Sequence, residues 1–477
     1  ALRFLALYML SRVQRICKST SVSCAGFPRG LWSGHAFASV RISPRTRSAR
    51  QELHSASLLC TAKAISTPPI ASPESMGKRR VAVVGGGISG TVCASELTKH
   101  DFDVVVFESG NGLGGRMSTR RYDREDGTQV TFDHGAQFFS VSDPRFDSLV
   151  QEWERAGVVG RWEGRFGSIP NDDNTRGHLQ PEDTLRTAVT LDSEHDSRYV
   201  GMPGMNSVCK HLQSMQGFEV RKRTKVTGFT NPSADADGKW SLAVKPSKDP
   251  GADPVMVSGF DAVVVTDLSV AQVVYGEPAP LESAGVDGLL KRMQSAAPRE
   301  ARFALMVAFE GPVPIEFDAL QIHNHPVLEK ASRNSSKPMR STGADQWVLL
   351  STQDYAMNRI RGRLSRPGTT VHSDLLDRVV EGMYEAFESL VEEDLGAHPL
   401  PPTVLKVAHR WGGAFPAEPL GDGAEEFLVD GSSTFYACGD FVKPPVNGVQ
   451  GFVEGAALSG LAAAQRILQV TQQAPAL

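Results

Sequence analysis

The chain has 477 residues, 40% of them hydrophobic and 22% charged, with a net charge of −4. That is too long for one ordinary domain, apolar enough for packed cores, and too nearly neutral for a general attraction to nucleic acid. No apolar run is long enough to span a membrane, and the six cysteines (Cys17, Cys24, Cys60, Cys93, Cys209 and Cys438) form no C-x-x-C pair, so neither a zinc site nor a disulfide framework is indicated.

The first seventy or so residues are rich in arginine and serine, and Glu52 is the only acid before Glu74. This is the composition of an organelle transit peptide. It predicts a leader over 1–76 that directs the chain to the chloroplast, with the mitochondrion as the alternative. Met76 would start a shorter cytosolic form. Thr67-Pro68-Pro69 and Ser72-Pro73 read as a linker.

Val81-Ala82-Val83-Val84 then forms a short apolar run of buried-strand type. Gly85, Gly87 and Gly90 behind it fit G-x-G-x-x-G, with Ile88 and Ser89 between them. The first glycine permits a tight turn, the second lets the backbone approach a pyrophosphate, and the third lets the next helix pack close to the strand. That helix, predicted over Gly90 to His100, would aim its first amides at the phosphates. A second apolar run, Asp103 to Phe107, ends at Glu108 and Ser109, with Glu108 about 20 residues on, where a carboxylate meets ribose hydroxyls. Strand, helix, strand and acid fall in the order a dinucleotide-binding unit requires.

Further along, the spacing predicts helices over Pro144 to Gly157 and Asn206 to Gln216, the second with Asn206 as N-cap, and a turn at Asn171-Asp172-Asp173-Asn174. Strands are predicted over Phe218 to Phe229, Gly238 to Val244 and Gly259 to Thr266, with Val226 where a strand could pass an adenine. From Val270 to His409 the pattern changes to a strand at Arg302 to Phe309, a polar loop at Lys330 to Gly343, a strand at Gln346 to Ser351 and a long helix at Ser373 to Leu390. The last piece returns to a strand, Thr434 to Cys438, and a helix, Phe452 to Val470.

Gly112-Leu113-Gly114-Gly115-Arg116-Met117-Ser118-Thr119 follows the second strand, and Arg116 offers a fork of donors to phosphate oxygens. With Glu108, this block resembles the FAD-binding signature of the flavin amine oxidase superfamily, and its Gly-Gly-Arg-Met form is similar to the renalase branch. Asp133-His134-Gly135-Ala136-Gln137-Phe138 resembles that branch's next block, which lies beside the isoalloxazine. Phe435 to Asp440 resembles the block in which Gly439-Asp440 holds the ribityl chain. Gly451-Phe452-Val453-Glu454-Gly455-Ala456 resembles the closing helix, whose N-terminus faces the flavin.

The resemblance implies an α/β protein with a Rossmann-type, glutathione-reductase-like FAD-binding domain and a second, mixed-sheet α+β substrate domain. The expected boundaries are 77–140, 198–270 and 405–470 for the first and 141–197 and 271–404 for the second. It implies non-covalent FAD, because Trp411 to Pro416 lacks the cysteine that monoamine oxidases use as a tether. The implied reaction is hydride removal from a small dihydronicotinamide, with O₂ as acceptor. Amine oxidation or desaturation of a plastid metabolite is the alternative, and non-redox binding on the same fold is a second. Arg302 to Phe309 lacks the lysine common in amine oxidases, and Phe452 stands where they use a tyrosine. Gln137, His134, Trp411 and Phe452 are candidate pocket residues, Cys438 reads as a small buried hydrophobe, and Arg120-Arg121 reads as solvated surface.

Overall fold

Side-chain alternation along three apolar runs sets the architecture. In the strand Arg80–Val84, Val81 and Val83 enter one core, while Ala82 and Val84 enter another. Val104 and Val106 alternate with Val105 and Phe107 in the same way, as does Val264 with Val263 and Val265. A strand buried on both faces needs apolar residues at every position, which is why these runs are continuous. The computed structural model describes residues 78–473, apart from 125, 170–179, 182–196, 236, 275, 297–298, 342, 362–369, 417–419, 421–424 and 444–451. The leader expected over 1–76 and the turn at Asn171 to Asn174 lie outside the described residues.

Those three runs form the centre of a six-stranded sheet ordered Leu428–Val429, Phe435–Ala437, Ala262–Val265, Arg80–Val84, Asp103–Phe107, Glu219–Arg221. All its pairings are parallel except that between the first two strands. The helices Ile88–Lys99 and Phe452–Gln473 cover one face, and the antiparallel sheet Thr224–Thr230, Trp240–Pro246 and Val255–Phe260 covers the other. The protein is thus an α/β structure with a Rossmann-like unit, as the glycine motif and the apolar runs predict. No helix among the described residues is long and apolar enough to cross a membrane.

A seven-stranded mixed sheet forms the other half, ordered Thr403–Phe415, Glu300–Phe309, Asp345–Ser351, Leu328–Arg333, Ala319–Ile322, Phe166–Ile169, Gln180–Pro181. Phe303, Leu305, Val307 and Phe309 pack under the helix Thr370–Ser389, and Ala304, Met306 and Ala308 face Val130 and Phe132 of the hairpin Thr119–Asp123/Gln129–Asp133. The boundary expected at 405 puts Thr403–Phe415 with the dinucleotide half. It pairs instead along nearly the whole of Glu300–Phe309.

Two local expectations are corrected. The loop expected at Lys330 to Gly343 begins as the strand Leu328–Arg333, and both Lys337 and Arg340 beyond it are buried, because a buried carboxylate meets them. Asn206 makes no side-chain capping bond to the helix Ser207–Gln216, since its backbone is already helical.

The closing helix is tied down by a buried acid. Glu454 accepts hydrogen bonds from the N–H groups of Ser142 and Asp143, at 2.8 and 2.7 Å, and from the Ser142 hydroxyl at 2.5 Å. Glu454→Ala leaves three donors without an acceptor and should cost about 2–4 kcal/mol. Glu454→Gln should cost less. Denaturant unfolding of both variants checks this, and equal, small losses would contradict it.

Candidate functional site

Parallel strands release their chains at one edge of the sheet, so Gly85, Glu108, Thr266 and Gly439 converge there. A Cβ on Gly90 would meet the Gly85 carbonyl oxygen at 2.0 Å, so only glycine lets the helix start this close to the strand. Gly87 is different. Its φ is an ordinary −76°, and a Cβ there would meet nothing within 4 Å. The space in front of Gly87 is open, as a cradle for a pyrophosphate requires. Glu108 is buried and accepts from the Gly86 N–H at 2.8 Å and from the Gly110 N–H. Burial raises its carboxyl above the usual range, against the lowering effect of those two donors. A carboxylate has lone pairs left for ribose hydroxyls after two such bonds.

This edge opens into a cavity of about 810 Å³ that runs to the seven-stranded sheet. Gly85, Gly87, Ile88, Ser89, Glu108, Ser109, Gly114, Gly115, Arg116, Met117, Gln137, Val226, Gly439, Asp440, Phe452 and Val453 all line it, as does Trp411. Gly90 and His134 do not, and Gly451 lies outside the described residues. Cys438 is fully buried behind the edge; the Ser89 hydroxyl donates to its sulfur at 3.2 Å, and burial pushes its thiol up to about 12.

The charged residues at the dinucleotide end are already engaged. Arg116, expected to face phosphate oxygens, closes both amino groups on the Asp440 carboxylate, one of them at 2.7 Å. Asp267 pairs with Arg299 at 2.9 Å, and Glu277 with Lys225 at 2.6 Å. The acidic residues among the described lining residues are Glu108, Asp267, Glu277 and Asp440.

The opposite wall is aromatic: Trp411, Phe415, Phe138 and Phe166 line it, with the Arg198 guanidinium over the last two rings at 5.4 and 4.0 Å. Trp411 stacks on His134, with centroids 5.0 Å apart and planes at 24°, and its indole N–H donates to the His134 carbonyl at 2.8 Å. His134 therefore sits behind the wall. Arg120 is not solvated surface, since it donates to His134 Nε2 at 3.3 Å and lies 2.9 Å from His409 Nδ1. Burial, then the Arg120 charge, brings His134 down to about 3; burial, then His134 and Arg120, brings His409 down to about 2. Both imidazoles are neutral near neutral pH, which suits acceptors for a guanidinium.

Sequence reasoning missed several lining residues. Phe415 stacks on Phe452 at 5.5 Å and lies four positions beyond Trp411, so strand alternation points it to the same face. Phe138, at the end of the Asp133 to Phe138 block, and Arg198 also reach the cavity, as do Phe166, Gln321 and Lys330 from segments without a motif. Lys330 answers the search for a lysine on Arg302 to Phe309. It lines the cavity from the same sheet, on the strand Leu328–Arg333, which Asp345–Ser351 separates from Glu300–Phe309, so the cavity does contain a lysine.

Gly87→Val should give a folded protein that holds no dinucleotide, because the new side chain enters the open cradle without touching the chain. Unchanged thermal unfolding with lost cofactor absorbance is the expected result; full cofactor occupancy would refute the cradle. The histidines give a pH prediction. Their pKa values fall on folding, so the unfolded chain binds more protons below about 6.5, and stability is lost as pH falls from there. The pair should cost about 2 kcal/mol between pH 6.5 and 5.5. Denaturant unfolding at the two pH values tests this, and His409→Gln should roughly halve the drop.

Residues 83–153 match the model of the NAD(P)-binding Rossmann-like domain. Carotenoid phi-ring synthase of Streptomyces griseus is 44% identical over 89 residues, 19% of this chain and 16% of that protein. Protoporphyrinogen oxidase 2, chloroplastic/mitochondrial, of Arabidopsis thaliana is 33% identical over 79 residues, 17% of this chain and 15% of that protein. These matches span less than a fifth of either relative's length. A redesigned putrescine oxidase has a similar structure, with a TM-score of 0.51 at 14% identity, covering 82% of this chain and 99% of that one. At that identity the likeness speaks to fold, and the fold it shares is a Rossmann-like dinucleotide-binding unit joined to a mixed sheet.

Proposed function

We propose that the protein is an FAD-dependent oxidase, of renalase-like type, that takes a hydride from a dihydronicotinamide and passes the electrons to O₂, giving H₂O₂. The observation that carries this reading is the division of the cavity. A cradle for a dinucleotide opens, without a break, onto a wall that carries Phe138, Phe166, Trp411 and Phe415. FAD bound along it would supply the hydride acceptor. Glu108 would take the adenosine ribose, the amides after Gly87 the pyrophosphate, and the Gln137 and Phe452 region the ring. Trp411 offers flat apolar surface for a planar substrate, Phe138 and Phe166 line the cavity with Arg198 over them, and a neutral dihydropyridine needs no carboxylate partner. Oxidases among the matched proteins support the class. The strand that brings Trp411 and Phe415 to the cavity has no cysteine, which supports non-covalent FAD.

Amine oxidation is the second reading, and Lys330 in the cavity favours it. One experiment separates the two. Acid precipitation of the purified yellow protein should release free FAD. Anaerobic stopped-flow mixing should then show isomeric dihydronicotinamides bleaching the flavin much faster than primary amines do. Rapid bleaching by an amine alone would favour the second reading, and a colourless protein would overturn both.

A further inference from the structure

Behind the Gly135–Phe138 segment lies a group of charges that the cavity chemistry above does not use. The side chains of Asp133, Lys337 and Arg340 are wholly buried. Asp133 ends the strand Gln129–Asp133; the two cations follow the strand Leu328–Arg333. The Asp133 carboxylate accepts from Arg340 at 2.5 Å, from Thr119 at 2.7 Å and from the Met205 N–H at 3.0 Å, with Lys337 Nζ farther off at 3.4 Å. Arg340 thus satisfies the carboxylate closely, and Lys337 is in excess. Lys337 turns elsewhere: it donates to Gln137 Oε1 at 3.0 Å and to Asn334 Oδ1 at 3.3 Å, and lies 5.2 Å from the Trp162 ring centre. Gln137 lines the cavity, and its own amide donates to the Asp133 and Gly135 carbonyls. One anion and two cations leave a net positive charge, shielded from solvent, one side chain away from the cavity.

We propose that Lys337, held by Asp133 and Asn334 and acting through Gln137, is a positioning residue whose buried charge makes the bound flavin a better acceptor of negative charge. The proposal rests on the FAD reading. Taking up a hydride makes a neutral flavin anionic, and a fixed positive charge in a poorly polarisable setting favours that state. Lys337 does not line the cavity, so it acts by its field and by fixing the Gln137 amide. The charged and titratable groups around it are Asp133 from the hairpin, Arg340 from its own turn, and His134 beside Asp133, which is neutral. Burial brings the Lys337 ammonium down to about 8, against the pull of Asp133, so the charge can be removed by pH as well as by mutation.

Sulfite tests this without turnover. Its sulfur lone pair forms a bond to N5 of oxidised flavin, nothing leaves, and the adduct carries the negative charge on the ring. The loss of flavin absorbance gives the Kd. The wild type should form the adduct, Lys337→Met should weaken it at least tenfold, and Lys337→Arg should stay within about threefold. Lys337→Met keeps the Asp133–Arg340 pair and should fold; equal flavin content and thermal unfolding would check that. Should it not fold, the wild type at pH 7 and 9.5 serves instead, compared with Lys337→Arg. Sulfite binding should weaken at the higher pH by a larger factor in the wild type. An unchanged Kd in a yellow, folded Lys337→Met protein, the same pH response in both proteins, or no adduct in the wild type overturns the proposal. A colourless protein overturns the FAD reading as well.

Discussion

The cavity exists because two distant stretches of chain are forced into near contact. A Cβ on Gly460 of the closing helix would meet the Ser89 carbonyl oxygen at 2.1 Å, so that helix lies directly against the start of the first. Buried polar groups hold it there. Ser459 accepts from the Gly439 N–H at 2.8 Å and donates to the Glu426 carbonyl at 2.5 Å, and Glu454 binds the chain before the helix Pro144–Arg155. These bonds are costly to leave unmade inside a core, so the helix has little freedom to dock elsewhere. Phe452 and Val453 at its first turn reach the cavity, while the turn carrying Gly439 and Asp440 is fixed by the same helix. The dinucleotide cradle and the inner wall are therefore set by one packing event.

Electrostatics then divides the cavity. At the dinucleotide end, Arg116 with Asp440, Asp267 with Arg299 and Glu277 with Lys225 bring opposite charges together. The aromatic end carries cations instead, with Arg198 over Phe138 and Phe166 and Arg120 behind the His134 ring on which Trp411 stacks. Arg120 keeps its charge there, because its partners are two imidazoles too buried to take a proton. A guanidinium accepted by neutral histidines costs less than two imidazolium ions in the same place. The arrangement leaves Trp411 on a rigid support, fixed by a stack on one side and an indole hydrogen bond below.

How much of this is legible in the sequence depends on how local the physics is. Gly85, Gly87, Gly90 and Glu108 are legible because the turn, the open space and the acid follow within one strand–helix–strand unit. The core of the parallel sheet is legible because burial on both faces leaves continuous apolar runs. Phe415 could have been read from alternation with Trp411. Lys337 and Arg340 could not, because a serine- and arginine-rich segment looks solvated until a carboxylate about 200 residues away is brought to it. Arg120 misleads for the same reason. Asn206 shows the converse error: a good capping residue at a helix start is no evidence of a cap when its backbone is already helical.

The same contrast explains why cofactor class is easier to argue than substrate. A pyrophosphate presents fixed geometry to backbone amides, and backbone geometry is written in glycines at set spacing. The sheet end presents side chains from several strands, and any of them can vary without disturbing the pairing that holds the sheet. Lys330 and Gln321 stand opposite each other on adjacent strands, and Lys330 faces Leu350 on the next. All three line the cavity, so one register row supplies a cation, an amide and an apolar group to it. Changing one of these three residues would alter what the cavity accepts and leave the dinucleotide cradle as it is. The register row of Gln321, Lys330 and Leu350 and the strand ends at Gly85, Glu108 and Gly439 thus line the same cavity from different sheets, so a change in one need not disturb the other.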